Sequence, residues 1–455
     1  MKRKIYERLV EWKRESADKC ALLIEGARRV GKSWIVKEFA KNEYESHLII
    51  DFAKANSKIK ELFDENLDNL DEFFMLLEAR TRVGLIRGKS LVVFDEVQRF
   101  PRAREAIKYL VEDGRFHYVE TGSLISIKKN VESIVIPSEE MKIQMFPMDF
   151  EEFLWALGAE PVMKLIRKRF AERMPMGQSD HRMVMELFRQ YLVVGGMPQA
   201  VEAFANGHDI KAAEKAKRLV LDLYRDDIGK FAGRLKHKVR AIWDNIPGAL
   251  SAQEKHFRPG LVKEGVKMRE LDAPFEWLSE SMTVNIASNV TDPNAGLKMS
   301  EDRTSIKCYM GDTGLLVSHA FSENRNATYD MQWKILIGKL EVNKGMLVEN
   351  VVAQMLKSAG QELFYHYNCD QRDSSNRMEI DFLLAKSKIS ARHNIHPIEV
   401  KSANDYSTIS LDRFMKKFRQ QAATPIILHA ADAVFGEHAL ALPLYMAMLI
   451  PELEQ

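Results

Sequence analysis

The sequence predicts an α/β protein, with a doubly wound parallel sheet in its N-terminal third and a mixed α/β domain at its C-terminus. The N-terminal prediction comes from short apolar runs that alternate with helical patterns, and from a glycine-rich loop that joins the first run to a helix. The C-terminal prediction comes from two short strands in which carboxylates alternate with apolar residues. We divide the 455 residues into segments 1–150, 151–230, 231–335 and 336–455.

Composition narrows the class of protein. The 67 basic and 65 acidic residues give a formal net charge of +2, so any affinity for nucleic acid must come from a local basic face. The three cysteines are isolated in sequence, which argues against a disulfide framework and favours a reducing compartment. No apolar run is long enough to cross a membrane, and no signal-peptide pattern follows the charged N-terminus. We therefore expect a cytoplasmic protein without a membrane partner.

The glycine-rich loop lies between the apolar run 20–24 and a helical pattern that begins near Trp34. Its G-x-x-x-x-G-K-S pattern is that of a P-loop, whose backbone N–H groups cradle phosphates at a helix N-terminus. Lys32 would meet the β- and γ-phosphates, and the Ser33 hydroxyl would ligate Mg²⁺. A chance match in an ordinary turn is the alternative. The predicted phosphate-binding residues are Gly26, Ala27, Arg28, Arg29, Val30, Gly31, Lys32 and Ser33.

The apolar run 90–94 ends in two carboxylates, Asp95 and Glu96. In P-loop proteins a buried parallel strand delivers an aspartate at its carboxyl end to hold the hydration shell of Mg²⁺, which predicts Asp95 as a metal residue. Glu96 is the predicted general base for the attacking water. By itself the pair could equally be the N-cap of a helix. Its position after a complete phosphate loop favours the catalytic interpretation.

Further strands are predicted at 46–52, 116–123 and 141–146, with helical stretches between them. The strand 116–123 ends in small polar residues, two of which carry hydroxyl groups, Thr121 and Ser123. Because the carboxyl ends of parallel strands share one edge of the sheet, either hydroxyl would lie against the γ-phosphate. Both are candidate catalytic sensor residues.

These motifs together resemble the AAA-type ATPases of a widespread prokaryotic family whose members carry a C-terminal domain of unknown function. The stretches that carry the resemblance are 26–33, 92–99, 120–123, 146–153, 194–200 and 307–316. The resemblance implies that Lys32, Ser33, Asp95 and Glu96 bind and hydrolyse ATP with Mg²⁺. From their helical periodicity, residues 151–230 are predicted to form a lid beside the nucleotide, and a second copy of the chain is a candidate partner.

One departure from that family concerns arginine. Many relatives carry an arginine just before the last strand of the sheet, where this chain has Ile136-Pro137-Ser138-Glu139-Glu140. An arginine that reaches the γ-phosphate can raise the rate by orders of magnitude. Without it, hydrolysis would be slow, or another arginine such as Arg102 would serve.

The middle segment resembles a winged helix. Short helices precede a strand predicted at 282–287, and residues 261–271 are the predicted helix that would enter a groove of double-stranded DNA. A solvated charged face is the alternative explanation for the basic residues of this segment. These residues are Lys230, Arg234, Lys236, Lys238, Arg240, Arg258, Lys263, Lys267 and Arg269.

The C-terminal segment begins with a predicted helix that places Glu349 beside an apolar stripe at residues 347, 348, 351, 352, 355 and 356. In the strand that follows, Glu379 and Asp381 share one face, and in the next strand Glu399 and Lys401 share one face. This order resembles the PD-(D/E)XK nuclease fold. The resemblance implies Glu349, Asp381 and Glu399 as Mg²⁺ ligands and Lys401 as the catalytic lysine. A cross-strand ion pair is the alternative reading of Glu399 and Lys401.

Two functions follow from these readings. The first is an ATP-dependent switch or motor that drives a DNA-directed nuclease-like domain. The second is a regulatory NTPase whose C-terminal domain binds nucleic acid or a protein partner and cuts nothing. Because one fold can host many functions, the sequence does not decide between them.

Overall fold

The computed structural model describes residues 1–122, 139–252, 255–322, 324–340, 343–369, 373, 376–403 and 406–453. The chain divides into two compact units. Unit 1 comprises Met1–Phe146 with Glu280–Met282, and unit 2 comprises Pro147–Ser279 with Thr283–Gln455. In the described part of the chain, no helix is both long enough and apolar enough to cross a membrane.

Unit 1 alternates strands and helices as predicted. Its helices are α1 (Ile5–Glu15), α2 (Lys32–Glu43), α3 (Ser57–Glu65), α4 (Leu70–Thr81) and α5 (Pro101–Asp113). Its strands are β1 (Ala21–Glu25), β2 (Ser46–Asp51), β3 (Ser90–Asp95), β4 (His117–Gly122) and β5 (Glu140–Gln144).

The described strands of unit 1 form one parallel sheet in the order β2-β3-β4-β1-β5. Strands β1 and β3 are buried along their whole length, as expected of a parallel sheet covered by helices on both faces. Aromatic rings fill one side of the core, where Phe63 packs edge-on against Phe52, Phe73 and Phe94 at centroid distances of 5.1–5.7 Å. The predicted doubly wound α/β sheet is confirmed.

Unit 2 starts with a helical region. Its first helices are α6 (Phe150–Ala156), α7 (Glu160–Ala171), α8 (Gln178–Val194), α9 (Pro198–Ala205) and α10 (Ile210–Phe231). They are followed by α11 (Lys236–Ser251) and α12 (Asp272–Glu280). Asp149 caps α6 by accepting a hydrogen bond from the Glu152 backbone N–H, and the Glu152 side chain accepts one from the Asp149 N–H. A role for 151–230 as a lid over nucleotide stays a prediction.

The rest of unit 2 is built on a mixed sheet. Its strands are β6 (Val284–Val290), β7 (Glu301–Met310), β8 (Leu363–Asn368), β9 (Met378–Ala385), β10 (Ile395–Val400), β11 (Ile426–His429), β12 (Val434–Phe435) and β13 (Leu440–Pro443). Its helices are α13 (Thr313–Ala320), α14 (Arg325–Leu336), α15 (Lys344–Ser358) and α16 (Ile409–Lys417). Among the described residues the strand order is β12-β13-β11-β10-β9-β8-β6-β7.

Two expectations for the middle segment are corrected. The predicted helix over 261–271 is wrong, because the structure has only short 3-10 turns there, at Pro259–Leu261 and Met268–Glu270. Gly265 adopts a left-handed φ of +77°, which interrupts a right-handed helix. The predicted strand at 282–287 is present as β6, but it pairs with β7 and with β8. The sheet therefore runs across the boundary that we drew at residue 335.

Helix α15 is more deeply buried than its sequence pattern indicates. We predicted one apolar stripe, whereas every residue from Met346 to Leu356 is buried. Two of the polar residues among them bond to neighbouring backbone: Asn350 accepts a hydrogen bond from the Met310 N–H at 2.8 Å, and Gln354 accepts one from the Thr313 N–H at 2.8 Å. The helix thereby fixes the end of β7 and the start of α13.

The two stretches of unit 2 that carried the family resemblance meet at one buried carboxylate. Asp312 accepts hydrogen bonds from the backbone N–H groups of Gly196 and of Leu315, at 2.5 and 2.8 Å. The backbones approach so closely that a Cβ atom on Gly314 would lie 2.5 Å from the Gly195 nitrogen. Glycine is required here by contact between main chains and not only by chain flexibility.

We predict that Gly196→Ala destabilises the protein by about 3 kcal/mol or more. A Cβ atom at this position would lie 2.0 Å from the Met148 carbonyl oxygen, and backbone cannot yield as a flexible side chain does. Urea unfolding of the full chain measures the effect. The matched control is Gly207→Ala, where no atom lies within 4 Å of the added Cβ and the change should stay within about 0.5 kcal/mol. Equal urea midpoints for Gly196→Ala and Gly207→Ala would contradict the predicted requirement for glycine at position 196.

Candidate functional site

The predicted phosphate loop connects the end of β1 to the start of α2. Gly31 has a left-handed φ of +101° and precedes the first helical residue, Lys32. Gly26 is required for a reason that the sequence did not show, because a Cβ there would lie 2.5 Å from the Met145 carbonyl oxygen. Arg29 also adopts a positive φ of +69°, and its side chain is exposed. The loop is therefore fixed by close packing against the chain after β5.

Lys32 is buried inside this loop, with 8% of the residue exposed. Its ammonium group donates hydrogen bonds to the carbonyl oxygens of Gly26 and Ala27 at 2.7 and 2.9 Å. Burial lowers the pKa of Lys32 to about 8, although Glu96 and Asp95 oppose the shift. The positive charge of Lys32 is thus stabilised by hydrogen bonds to two neutral carbonyls and by carboxylates that lie further away.

Asp95 joins two other predicted site residues, Ser33 and Thr121. Its Oδ1 atom accepts a hydrogen bond from the Ser33 hydroxyl at 2.8 Å and another from the Thr121 hydroxyl. The register explains the meeting, because β3 and β4 are parallel neighbours with Phe94 opposite Glu120. A hydroxyl and a carboxylate in contact form the kind of oxygen ligand pair that Mg²⁺ prefers. Ser33 and Asp95 therefore fit a magnesium ion.

Glu96 follows directly after β3 and has a left-handed backbone, with φ +56° and ψ +43°. A non-glycine residue in this conformation is strained by about 1 kcal/mol, and such strain is frequent at functional sites. Its carboxylate accepts a hydrogen bond from the Gln98 amide, which restrains the half-buried side chain. The turn separates the direction of Glu96 from that of Asp95.

The structure says less about three other residues of the predicted site, Ser123, Arg28 and Arg102. Ser123, the second sensor candidate, lies outside the described residues, as do residues 136–138 of the departure from the family. Arg28 is half-buried in the loop. Arg102 forms an ion pair with Glu105 at 2.9 Å, within helix α5. Its service as an arginine finger stays a prediction.

Two buried arginines of unit 1 have partners that the sequence did not predict. Arg3 is buried and donates to the carbonyl oxygens of Val30 and Phe146, at 2.8 and 2.7 Å, so it ties the loop to the end of unit 1. Arg104 is buried and forms a two-pronged pair with Glu140 at 2.8 and 3.0 Å. Burial and the neighbouring Glu140 raise the pKa of Glu120 well above its usual value. No local sequence pattern signals contacts between such distant residues.

The carboxylates predicted for the C-terminal segment surround a lysine. The Lys307 ammonium lies 2.7 Å from Glu379, 3.4 Å from Asp381 and 3.7 Å from Glu349. Lys307 is fully buried, at 0% exposure. Lys255 forms a second ion pair with Glu349. Glu349 and Asp381 do come together as predicted, but around an ammonium group.

The pair Glu399 and Lys401 also contact each other, which agrees with the ion-pair reading of this strand. Asp381 accepts a hydrogen bond from the Val400 backbone N–H at 2.9 Å, so that carboxylate bridges β9 and β10. Within the described residues, no group of three or more His, Cys, Asp or Glu side chains is arranged to hold a metal ion. The residues present do not fit Mg²⁺ here.

Three segments of the chain match protein-family models. Residues 18–154 match an AAA domain, while residues 185–326 and 344–446 each match a domain of unknown function, DUF8612 and DUF4143 respectively. The comparison with curated proteins gave no significant match.

The chain is similar to several solved structures at low identity. The Walker-type ATPase of Pyrococcus abyssi is 15% identical, with 70% of this chain and 95% of that chain covered and a TM-score of 0.40. Cdc6p from Pyrobaculum aerophilum is 12% identical, with 73% and 92% covered and a TM-score of 0.27. The Drosophila ORC bound to DNA is 11% identical, with 74% and 95% covered and a TM-score of 0.29.

The family match and the loop geometry agree on the N-terminal part of the chain. The matched range 18–154 contains the phosphate loop, the five parallel strands described for unit 1, and the acidic end of β3. Residues 18–154 are an AAA-type P-loop ATPase domain.

Proposed function

We propose that this domain binds ATP with Mg²⁺ and hydrolyses it, through Lys32, Ser33, Asp95 and Glu96. The observation that carries the proposal is the contact of Ser33 and Thr121 with Asp95, beside the buried Lys32 at the head of α2. Each group has the type and position that the phosphate-binding chemistry needs. The cytoplasmic location and a second copy of the chain as partner stay predictions.

Different residues of the site would bind the phosphates and the magnesium ion. Backbone N–H groups from Gly26 to Ser33 and the N-terminus of α2 would hold the phosphates. Lys32 would exchange the carbonyls of Gly26 and Ala27 for phosphate oxygens, since an ammonium binds an anion more strongly than a neutral oxygen. Ser33 and Asp95 would hold Mg²⁺, which neutralises developing charge on the transferred phosphoryl group when it is bound.

Glu96 would take the proton from the attacking water. Its left-handed turn and its hydrogen bond with Gln98 support a positioned carboxylate at the end of β3. Thr121 would act as the sensor hydroxyl through Asp95, and Ser123 stays a candidate for the same role. Nucleotide state would then be coupled to unit 2 through changes in this loop.

For residues 336–455, in the C-terminal part of unit 2, we propose a nuclease-like domain that acts on nucleic acid or on a protein partner. Support comes from the order of elements, which runs helix α15, strands β8, β9 and β10, helix α16 and strand β11. Two candidate activities remain, cleavage of double-stranded DNA and binding without cleavage. The ion pairs of Lys307 with the predicted metal ligands favour binding without cleavage.

The first prediction concerns Lys32. Because the pKa of Lys32 is lowered to about 8 without nucleotide, its ammonium loses its proton as the pH rises through that value. ATP favours the protonated form, so the dissociation constant should be constant below pH 7.5 and rise up to about tenfold per pH unit above 8. Titration of a fluorescent ATP analogue between pH 7 and 9.5 measures this.

The matched control is Lys32→Arg, whose guanidinium stays charged throughout this range. Its affinity should be lower, because the guanidinium does not fit the space between the Gly26 and Ala27 carbonyls, but it should not vary with pH. A wild-type affinity that is flat from pH 7 to 9.5 would contradict the proposed contact.

The second prediction concerns Glu96. Glu96→Gln should retain ATP binding and lose turnover by about 10²-fold or more, since an amide cannot accept the proton of the attacking water. Binding and phosphate release are measured on the same preparation. Glu112→Gln, which replaces an exposed carboxylate on α5, is the control and should turn over as wild type. Equal turnover in Glu96→Gln and wild type would contradict the assignment of Glu96 as the general base.

The third prediction concerns DNA. Arg234, Lys263 and Arg269 are exposed, and none of them pairs with a carboxylate in the described part of the chain. If they contact phosphates, the triple alanine variant should bind a 20-base-pair duplex more weakly and lower the salt slope of log K by up to about 3. Fluorescence anisotropy across a salt series measures both. Lys54→Ala with Arg87→Ala is the control; an unchanged slope in the triple variant would indicate a merely solvated face.

A further inference from the structure

The starting observation is the saturation of Lys307. Its three ammonium protons face three carboxylates, from Glu349 on α15 and from Glu379 and Asp381 on β9. The ring of Tyr365 lies 5.0 Å away and adds a cation–π contact on another side. Burial would lower the pKa of Lys307, but the carboxylates of Glu379, Glu349 and Asp381 raise it well above its usual value. The group is a permanent cation.

The charges of this cluster nearly balance without any added ion, because two lysines face three carboxylates. Glu349, Glu379 and Asp381 carry up to three negative charges, while Lys307 and Lys255 supply two positive ones. Burial and Asp381 raise the pKa of Glu349, while Lys307 and Lys255 oppose the shift. A divalent cation placed among these carboxylates would leave an excess of positive charge in a buried site, which is costly.

Both oxygens of two predicted metal ligands, Asp381 and Glu349, also face partners. One oxygen of Asp381 faces Lys307 and the other accepts the Val400 N–H at 2.9 Å. Both oxygens of Glu349 have partners, Lys255 on one and Lys307 with Tyr309 on the other. Glu399 is paired with Lys401. Metal entry would have to break several buried ion pairs at once.

We propose that Lys307 is a built-in cation in the position of a divalent metal, which closes the C-terminal acidic cluster to Mg²⁺ and makes unit 2 a binding module that cuts no nucleic acid. The inference rests on the nuclease-like domain proposed above and decides between its two candidate activities. It also gives Lys401 a structural role as the partner of Glu399.

Binding of Mn²⁺ to the full chain tests the proposal, because Mn²⁺ has the oxygen preference of Mg²⁺ and a paramagnetic signal. All proteins carry Asp95→Asn, to reduce binding at the phosphate loop, and nucleotide is left out. The parent protein, which carries only Asp95→Asn, should bind no Mn²⁺ at this cluster. Adding Asp381→Asn to the parent should therefore leave Mn²⁺ binding unchanged. Lys307→Met should bind one Mn²⁺ at least tenfold more tightly than the parent, and adding Asp381→Asn should abolish that gain.

The matched control is Lys255→Met, which removes a lysine that is 18% exposed and contacts only Glu349 of this cluster. Its gain in Mn²⁺ affinity should be less than threefold. Equal gains in the two methionine variants would show that net charge and not the position of Lys307 excludes the metal, and would overturn the proposal. A folded Lys307→Met protein that binds no Mn²⁺ would overturn it as well.

A second measurement covers the case in which Lys307→Met fails to fold. A ligand that binds only the folded state raises the melting temperature. Because the cluster should not bind Mg²⁺ while Lys307 is present, 10 mM Mg²⁺ should cause no rise in melting temperature that depends on this cluster. A Mg²⁺-dependent rise that Asp381→Asn removes would overturn the proposal. So would nicking of plasmid DNA by wild type with Mg²⁺ or Mn²⁺ and ATP that Asp381→Asn abolishes.

ATP turnover is recorded on the wild-type preparation that is used in the plasmid assay. Absence of turnover would refute the ATPase proposal and would leave the Mn²⁺ result standing. Intact plasmid together with normal turnover is the result expected from both proposals.

Discussion

Burying an ionised side chain costs several kcal/mol unless partners replace the lost water, and this constraint shapes both units of the protein. Lys32 meets it with two loop carbonyls, and Lys217 with the Val193 carbonyl at 2.7 Å and Glu214 at 3.1 Å. Lys307 meets it with three carboxylates. In each case the partners come from elements that must already be folded, so the buried lysine helps to fix their relative positions.

The same constraint acts on buried carboxylates. Asp312 is fully covered, and burial raises its pKa, but it accepts two backbone N–H groups and lies near Lys217. Its N–H donors belong to two stretches about a hundred residues apart in sequence, around Gly196 and around Leu315. The close main-chain contact at Gly314 brings those donors within reach. The close main-chain contact at Gly314 and the buried Asp312 carboxylate therefore stabilise each other where these two stretches meet.

Much of unit 1 follows from local patterns. Its five described strands were predicted within a few residues, because buried parallel strands read as short apolar runs. The meeting of Ser33, Asp95 and Thr121 also follows, since the carboxyl ends of parallel strands share one edge of the sheet. The anchoring of the loop by Arg3 does not follow, because its two acceptors are backbone carbonyls that no residue pattern marks.

Unit 2 was less predictable for a different reason. We recognised the carboxylates of α15 and β9 by their alternation, but the two lysines that neutralise them lie at 255 and 307, in a segment that we had assigned to a separate domain. Strand β7 is not a neighbour of β9 in the sheet, so no pairing rule connects Lys307 to Asp381. The helix predicted over 261–271 failed because one left-handed glycine outweighs a loosely periodic run.

Lys32 and Lys307 are both buried, yet their surroundings imply opposite uses. Lys32 donates to two neutral oxygens, and a phosphate oxygen with its negative charge is a stronger acceptor, so exchange toward an incoming nucleotide is favourable. Lys307 already faces three carboxylates, and no incoming anion improves on them. The first lysine is therefore poised to bind a ligand, whereas the second completes a site whose charges are already satisfied.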